Sequence, residues 1–351
     1  MLKHLIRTAA LFWLVSLCAL PIHAQDETNQ DAQAQIDAVF DRGAHLVTAT
    51  SPEHGWPLFT VNIDGQPSLF VYDTGTTQTV LFRELFDTVP LDLQPETDLP
   101  IEQRWIQPVK FQLHPDSKGF NIDYPIDSSW DEFGFPSYVQ PFFSGLLAPI
   151  TLGGTPTAFE RNPDENWFAL FESPHDPEFS ATLKIGMTPN GNNTGIALLK
   201  VRLPGSDELK TLRLLVDTGF NGDLSLKSEL FAPGTINGEA GLAHSTIVGQ
   251  VPITYIENVG VQIGKETIEL NSVAVAEDPR FASSELEFDG LLGSEFLNRF
   301  HHVIDVAAGA LILEMDGADL SPSRKYTPGG PGIAPFPNWD GGVIILSLIH
   351  I

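Results

Sequence analysis

The chain has 351 residues, with 45 acidic side chains against 19 basic ones and a formal net charge of −26. So acidic a chain is a poor candidate for binding nucleic acid or anionic membrane surfaces, which need basic patches, and the charge is read as solubility. Its one cysteine, Cys18, falls in the leader described next, so core packing and not disulfides must hold the fold.

Residues 1–24 read as a secretory signal peptide. Lys3 and Arg7 give a positive start, Ala9–Leu20 an apolar segment, and Ile22-His23-Ala24 a small-residue cleavage site. The segment is too short for a permanent membrane span, and an exported protein, periplasmic or secreted, is expected. Residues 25–38 open with the polar run Gln25–Gln35 and are expected to be a disordered mature N-terminus, with structure beginning near Val39.

Pro57–Ile63 alternates as a strand, Asp64-Gly65 makes a turn, and Ser68–Tyr72 returns into Asp73-Thr74-Gly75. Leu91–Tyr138 is rich in Pro and Asp with interleaved aromatics and reads as short strands and loops without a helical period. Phe142–Pro149 is a buried strand bearing Gly145. A weaker pairing region follows at Trp167–Phe171, and Glu172–Pro177 is read as a turn region.

The pattern then recurs. Ile196–Leu203 and Thr211–Val216 form a hairpin leading into Asp217-Thr218-Gly219. Ile253–Ile263 and Ile268–Ala276 follow as strands, Phe288–Gly293 bears Gly290, and Val303–Val306 with Ala310–Leu313 close the segment. Glu295–Arg299 is expected to be the one short helix. Residues 39–178 and 179–316 are therefore read as two similar β lobes, and 317–345 as a Pro/Gly-rich linker whose end, Gly341–Ile345, is a candidate start of a further domain. The final LSLIHI, Leu346–Ile351, coincides with an in-frame translation of a transposase adapter and is set aside.

From ordinary composition D-T-G turns up about once in several thousand positions. Here it occurs twice, each time at the end of an apolar hairpin, with Asp217 following Asp73 by 144 positions. Farther on, Arg83-Glu84-Leu85-Phe86 matches Ser228-Glu229-Leu230-Phe231, and Gly145-Leu146-Leu147 matches Gly290-Leu291-Leu292, both 145 positions apart. One extra residue in the second loop explains the difference, so a whole supersecondary unit is repeated.

A lone aspartate in a turn usually just caps nearby amides. Two such lobes facing each other would bring both carboxylates together, and like charges at close range share one proton. The ionised partner can take a proton from water while the protonated one polarises a carbonyl, which is peptide hydrolysis without metal or covalent intermediate. Gly75 and Gly219 allow the tight turns. Thr74 and Thr218 can send their hydroxyls into the opposite loop, and Thr76 can donate to the outer oxygen of Asp73.

On YDTGTT, VDTGFNG, SGLLAP and DGLLGS the chain resembles retropepsin-like and pepsin-like aspartic proteases, over about Pro57–Leu313. The resemblance implies an all-β, bilobal acid-protease fold with the active site between the lobes. It makes Asp73 and Asp217 the catalytic dyad and Thr74 and Thr218 the interlocking threonines, and it puts Gly145 and Gly290 in the runs that support the catalytic loops. It implies a peptide or protein substrate, no cofactor, and a monomer as sufficient.

Two features depart from the family. Phe220 stands where a hydroxyl or small residue usually follows the second D-T-G, and no glycine occurs from Thr76 to Ser117 to build a flap. The second copy offers Gly238, Gly241 and Gly249 around His244 instead. These departures keep open an alternative, a pepsin-like fold that binds peptides without cutting them. His301-His302 is read as a strand entry lacking partners for a metal, and no G-x-S-x-G or phosphate-binding loop is present.

Overall fold

The computed structural model describes residues 34–49, 56–63, 66–76, 80–82, 109–112, 120–122, 126–127, 145–149, 151–152, 155–190, 194–245, 249–276, 288–325 and 343–345. Residues 1–33, most of Leu91–Tyr138, Thr327–Pro337 and Leu346–Ile351 lie outside them, and with them the expected signal peptide. The chain forms two compact units, Met1–Gly43 and Ala44–Ile351.

In the first unit residues 34–41 form helix α1. Gly43, at φ +95°, ends it by donating its N–H to Phe40 O at 2.8 Å, a conformation that favours glycine. The helix starts inside the stretch expected to be disordered. Ile36, Val39 and Phe40 give it an apolar stripe at helical spacing that the polar composition around them obscures.

The second unit is almost entirely β. Its first strands are β1 (Leu46–Ala49), β2 (Leu58–Ile63), β3 (Gln66–Tyr72), β4 (Val80–Phe82), β5 (Val109–Gln112), β6 (Phe120–Ile122), β7 (Ile126–Asp127) and β8 (Gly145–Leu147). Next come β9 (Thr151–Leu152), β10 (Thr155–Asn162), β11 (Trp167–Glu172) and β12 (Thr182–Asn190). The second copy supplies β13 (Thr194–Arg202), β14 (Leu209–Asp217), β15 (Leu224–Lys227), β16 (Glu239–Ser245), β17 (Gly249–Ile256), β18 (Val259–Ile263), β19 (Glu266–Leu270), β20 (Val273–Ala276) and β21 (Gly290–Gly293). After β21 come helix α2 (Ser294–Leu297), β22 (His302–Asp305), β23 (Ala310–Glu314) and β24 (Val343–Ile345).

The repeat seen in the sequence extends to strand order and direction. The first copy runs β6-β5-β2-β3-β8-β4-β7, and the second runs β19-β18-β13-β14-β21-β15-β20. In both, the strand that ends at the aspartate lies parallel to the glycine-bearing strand: β3 beside β8, with Phe70 opposite Gly145, and β14 beside β21, with Leu214 opposite Gly290. A third group of strands, β1-β11-β10-β22-β23-β12, is antiparallel throughout, and β12 continues onto β13. Beyond β20 the second copy adds β17, β16 and β24.

One core runs through all three groups. Phe70, Tyr72 and Leu147 pack in the same cluster as Leu214, Val216 and Leu292, and as Phe159, Phe168, Ile304 and Leu313. Each such side chain contributes about 1.5–3 kcal/mol by leaving water, so the strands carrying the aspartates are firmly backed.

Several expectations change. Trp167–Phe171 is no weak region: it is buried throughout and sits between β1 and β10. Ile253–Ile263 and Ile268–Ala276 are each two strands, broken at Glu257-Asn258, where Asn258 has φ 61°, and at Asn271-Ser272. The helix expected at Glu295–Arg299 begins at Ser294 and ends at Leu297, and Ser228–Leu230 adds a 3-10 turn.

Candidate active site

Each D-T-G sits where its strand must stop. At the end of β3, Asp73 N donates to Leu147 O at 2.9 Å, so the ladder with β8 carries on to the aspartate itself. At the end of β14, Asp217 is opposite Gly293. The turns then fold back on the carboxylates. Gly75 N donates to Asp73 Oδ1 at 2.8 Å; Gly219 N and Phe220 N donate to Asp217 Oδ1 at 2.9 and 3.0 Å. Amides aimed at a carboxylate favour its ionised form.

The two loops are cross-linked reciprocally. Thr74 Oγ1 donates to Val216 O at 2.8 Å and accepts from Thr218 N at 3.1 Å. Thr218 Oγ1 donates to Tyr72 O at 2.7 Å and accepts from Thr74 N at 3.0 Å. All four bonds are buried, where a lost partner is most expensive.

Both carboxylates meet at Gly219. Its amide bonds Asp217, while a Cβ placed on it would lie 2.5 Å from Asp73 Oδ2. Only glycine fits there. Asp73 and Asp217 are buried, as are Thr74, Gly75, Thr76, Thr218 and Gly219. Thr76 N approaches Asp73 O at 3.4 Å.

The glycine-bearing strands lie close against their neighbours. A Cβ on Gly290 would run into Ser225 O of β15, and one on Gly293 into Gly222 O and Phe220. Gly145, also buried, pairs with Phe70 and Leu81. The Phe220 side chain points into a core cluster with Leu215, Tyr255 and Leu291, leaving its backbone to serve Asp217.

Beneath the loops the surroundings are dry. Burial pushes the Tyr72 phenol well above its ordinary range. It also raises Asp223, which Arg299 opposes from 3.3 Å, and raises Glu295 to about 8. Asp223 and Arg299 went unread in the sequence, as did Ser294, whose amide and hydroxyl donate to Phe220 O at 2.8 and 3.0 Å. The repeat gave no hint of Ser294, because the 145-residue register puts it opposite Pro149.

The two histidines part company, as neighbours at a strand entry should. His302 is buried, its Nδ1 is 3.0 Å from Phe300 O, and desolvation lowers its pKa to about 3. His301 faces two carboxylates. Its Nε2 is 2.9 Å from Glu160 and its Nδ1 3.1 Å from Glu314, while His175 Nε2 reaches the same Glu160 at 2.5 Å. Among the described residues no group of three or more His, Cys, Asp or Glu is arranged to hold a metal ion, and no helix is long and apolar enough to cross a membrane. The arms of the hairpin around His244 are β16 and β17, with its tip outside the described residues.

No protein-family model matches the chain, and comparison with curated proteins yields no significant match.

Proposed function

We propose that the chain is an exported aspartic endopeptidase of the two-lobed, pepsin-like or retropepsin-like kind, with Asp73 and Asp217 as its dyad. The observation that carries this reading is the reciprocal threonine cross-link, which holds two D-T-G loops against each other around Gly219. A pair of turn aspartates serving only as caps has no need of such a link.

In this reading one proton is shared between the carboxylates, because two like charges so placed do not both ionise. The ionised carboxylate takes a proton from a water whose oxygen bonds to the scissile carbonyl carbon, and the protonated one gives its proton to the carbonyl oxygen. Collapse of the resulting diol breaks the C–N bond as the amine nitrogen receives a proton from the protonated carboxyl and one diol hydroxyl returns its proton to the ionised one. Both aspartates are in one chain, so a monomer suffices. The substrate is an extended peptide with apolar residues at the cut. Phe220, whose amide bonds Asp217 Oδ1 but whose side chain has no hydroxyl to offer the outer oxygen, and the unplaced flap are what favour the alternative, a pepsin-like fold that binds peptides without cutting them.

The test is calorimetric titration with a statine-type peptide, whose hydroxyl mimics the tetrahedral intermediate. Binding should weaken by about a hundredfold or more in Asp73→Asn and in Asp217→Asn, since a transition-state mimic depends on both carboxylates. Equal affinity for all three proteins would overturn the reading.

A further inference from the structure

The loop after Asp217 is held from below by the start of α2. Three successive amides donate to it: Gly293 N to Asp223 O at 3.0 Å, Ser294 N to Phe220 O at 2.8 Å, and Glu295 N to Gly222 O at 3.3 Å. Ser294 adds its hydroxyl to the same Phe220 carbonyl at 3.0 Å. Phe220 is thus gripped on both sides, by Ser294 at its carbonyl and by Asp217 Oδ1 at its amide, 3.0 Å away. Ser294 is buried, as is Phe220.

The first copy does this differently. In the 145-residue register Ser294 falls opposite Pro149, which has neither an N–H nor a hydroxyl to give. In the 144-residue register Phe220 falls opposite Thr76, which does carry a hydroxyl. Of these two positions, each copy carries a hydroxyl at one: within the loop at Thr76 in the first copy and beneath it at Ser294 in the second.

We propose that Ser294 is a positioning residue for Asp217: it supplies from beneath the loop the hydroxyl support that position 220 lacks, keeping the Phe220 amide on the carboxylate. The consequence is chemical as well as structural. An amide held on Oδ1 favours the ionised form of Asp217, so loosening Phe220 raises the proton affinity of that carboxylate. The catalytic part of this inference rests on the dyad reading; the link from Ser294 through Phe220 to Asp217 does not.

The experiment uses the full chain carrying 13C-carboxyl aspartate, as wild type and as Ser294→Ala, Ser294→Cys and Ser294→Thr, with the Asp217 signal assigned by its loss in Asp217→Asn. In Ser294→Ala the Asp217 titration midpoint should rise by about half a pH unit or more, exchange of the Phe220 amide should quicken, and the acid limb of kcat/KM should move up with the midpoint. Ser294→Thr, which keeps the hydroxyl, should restore all three, and Ser294→Cys, a weak donor of similar size, should fall between. If Ser294→Ala does not fold, the contrast of Cys with Thr carries the test. A folded hydroxyl-deleted variant with unchanged Asp217 midpoint and unchanged Phe220 exchange would overturn the proposal. Absence of cleavage by the wild type would instead count against the endopeptidase reading, and the titration and exchange would still decide the role of Ser294.

Discussion

Thr74 and Thr218 each use a single hydroxyl twice, donating to a carbonyl across the loop and accepting an amide from it. Replacing either by valine keeps shape and volume but leaves a buried carbonyl and a buried amide without their partner, which costs about 1–3 kcal/mol. Because the four bonds form one network, Thr74→Val and Thr218→Val should not be additive: a double-mutant cycle read by urea unfolding should show a coupling of about 1 kcal/mol. Additive losses would mean that the two hydroxyls act independently. Gly219 shows the same economy of space, with one residue touching both carboxylates.

Strands with one wet face were easy to read from their alternation; β13, with Leu199 and Val201 buried and Leu198 and Lys200 exposed, is one. β11 was undervalued for the opposite reason. Its run from Trp167 to Phe171 is buried throughout and carries no period to recognise. The aspartates and threonines were legible because the chemistry repeats with the motif. Ser294 and the Glu160 contacts of His175 and His301 were not, since they depend on elements brought together from distant parts of the chain. Strand β22 also carries a pH dependence. His302, lowered to about 3 chiefly by burial, stays neutral in the fold while the unfolded chain takes up its proton near the ordinary value of 6.5. Between those two values the unfolded state binds more protons, so stability falls as pH falls through the window, by at most about 1.4 kcal/mol per unit, and is flat in this group above it. His302→Phe should be less stable at neutral pH, where Phe300 O loses its partner, yet show a shallower decline from pH 7 to pH 4 in urea unfolding. Parallel curves for the two proteins would contradict the assignment.

Across the molecule, duplication explains more than either motif. One strand order, with the same parallel and antiparallel pairings, occurs twice, and the antiparallel group β1-β11-β10-β22-β23-β12 shares a core with both copies. The reciprocal cross-links then follow from placing two equivalent loops tip to tip. The formal charge of −26 lies on a chain in which Asp73, Asp217, Asp223, Asp305 and Glu160 are buried acids, each tied into its surroundings by hydrogen bonds. Neutralising one member of the proposed dyad should therefore abolish chemistry while leaving the backbone links between the loops in place. The most direct measurement is cleavage of a mixed-peptide library from pH 3 to pH 8 by the wild type beside Asp73→Asn and Asp217→Asn, each first shown to be folded. The dyad predicts cleavage by the wild type that is lost in both variants. Cleavage that survives in either variant, or a folded wild type that cuts nothing across the range, would contradict it.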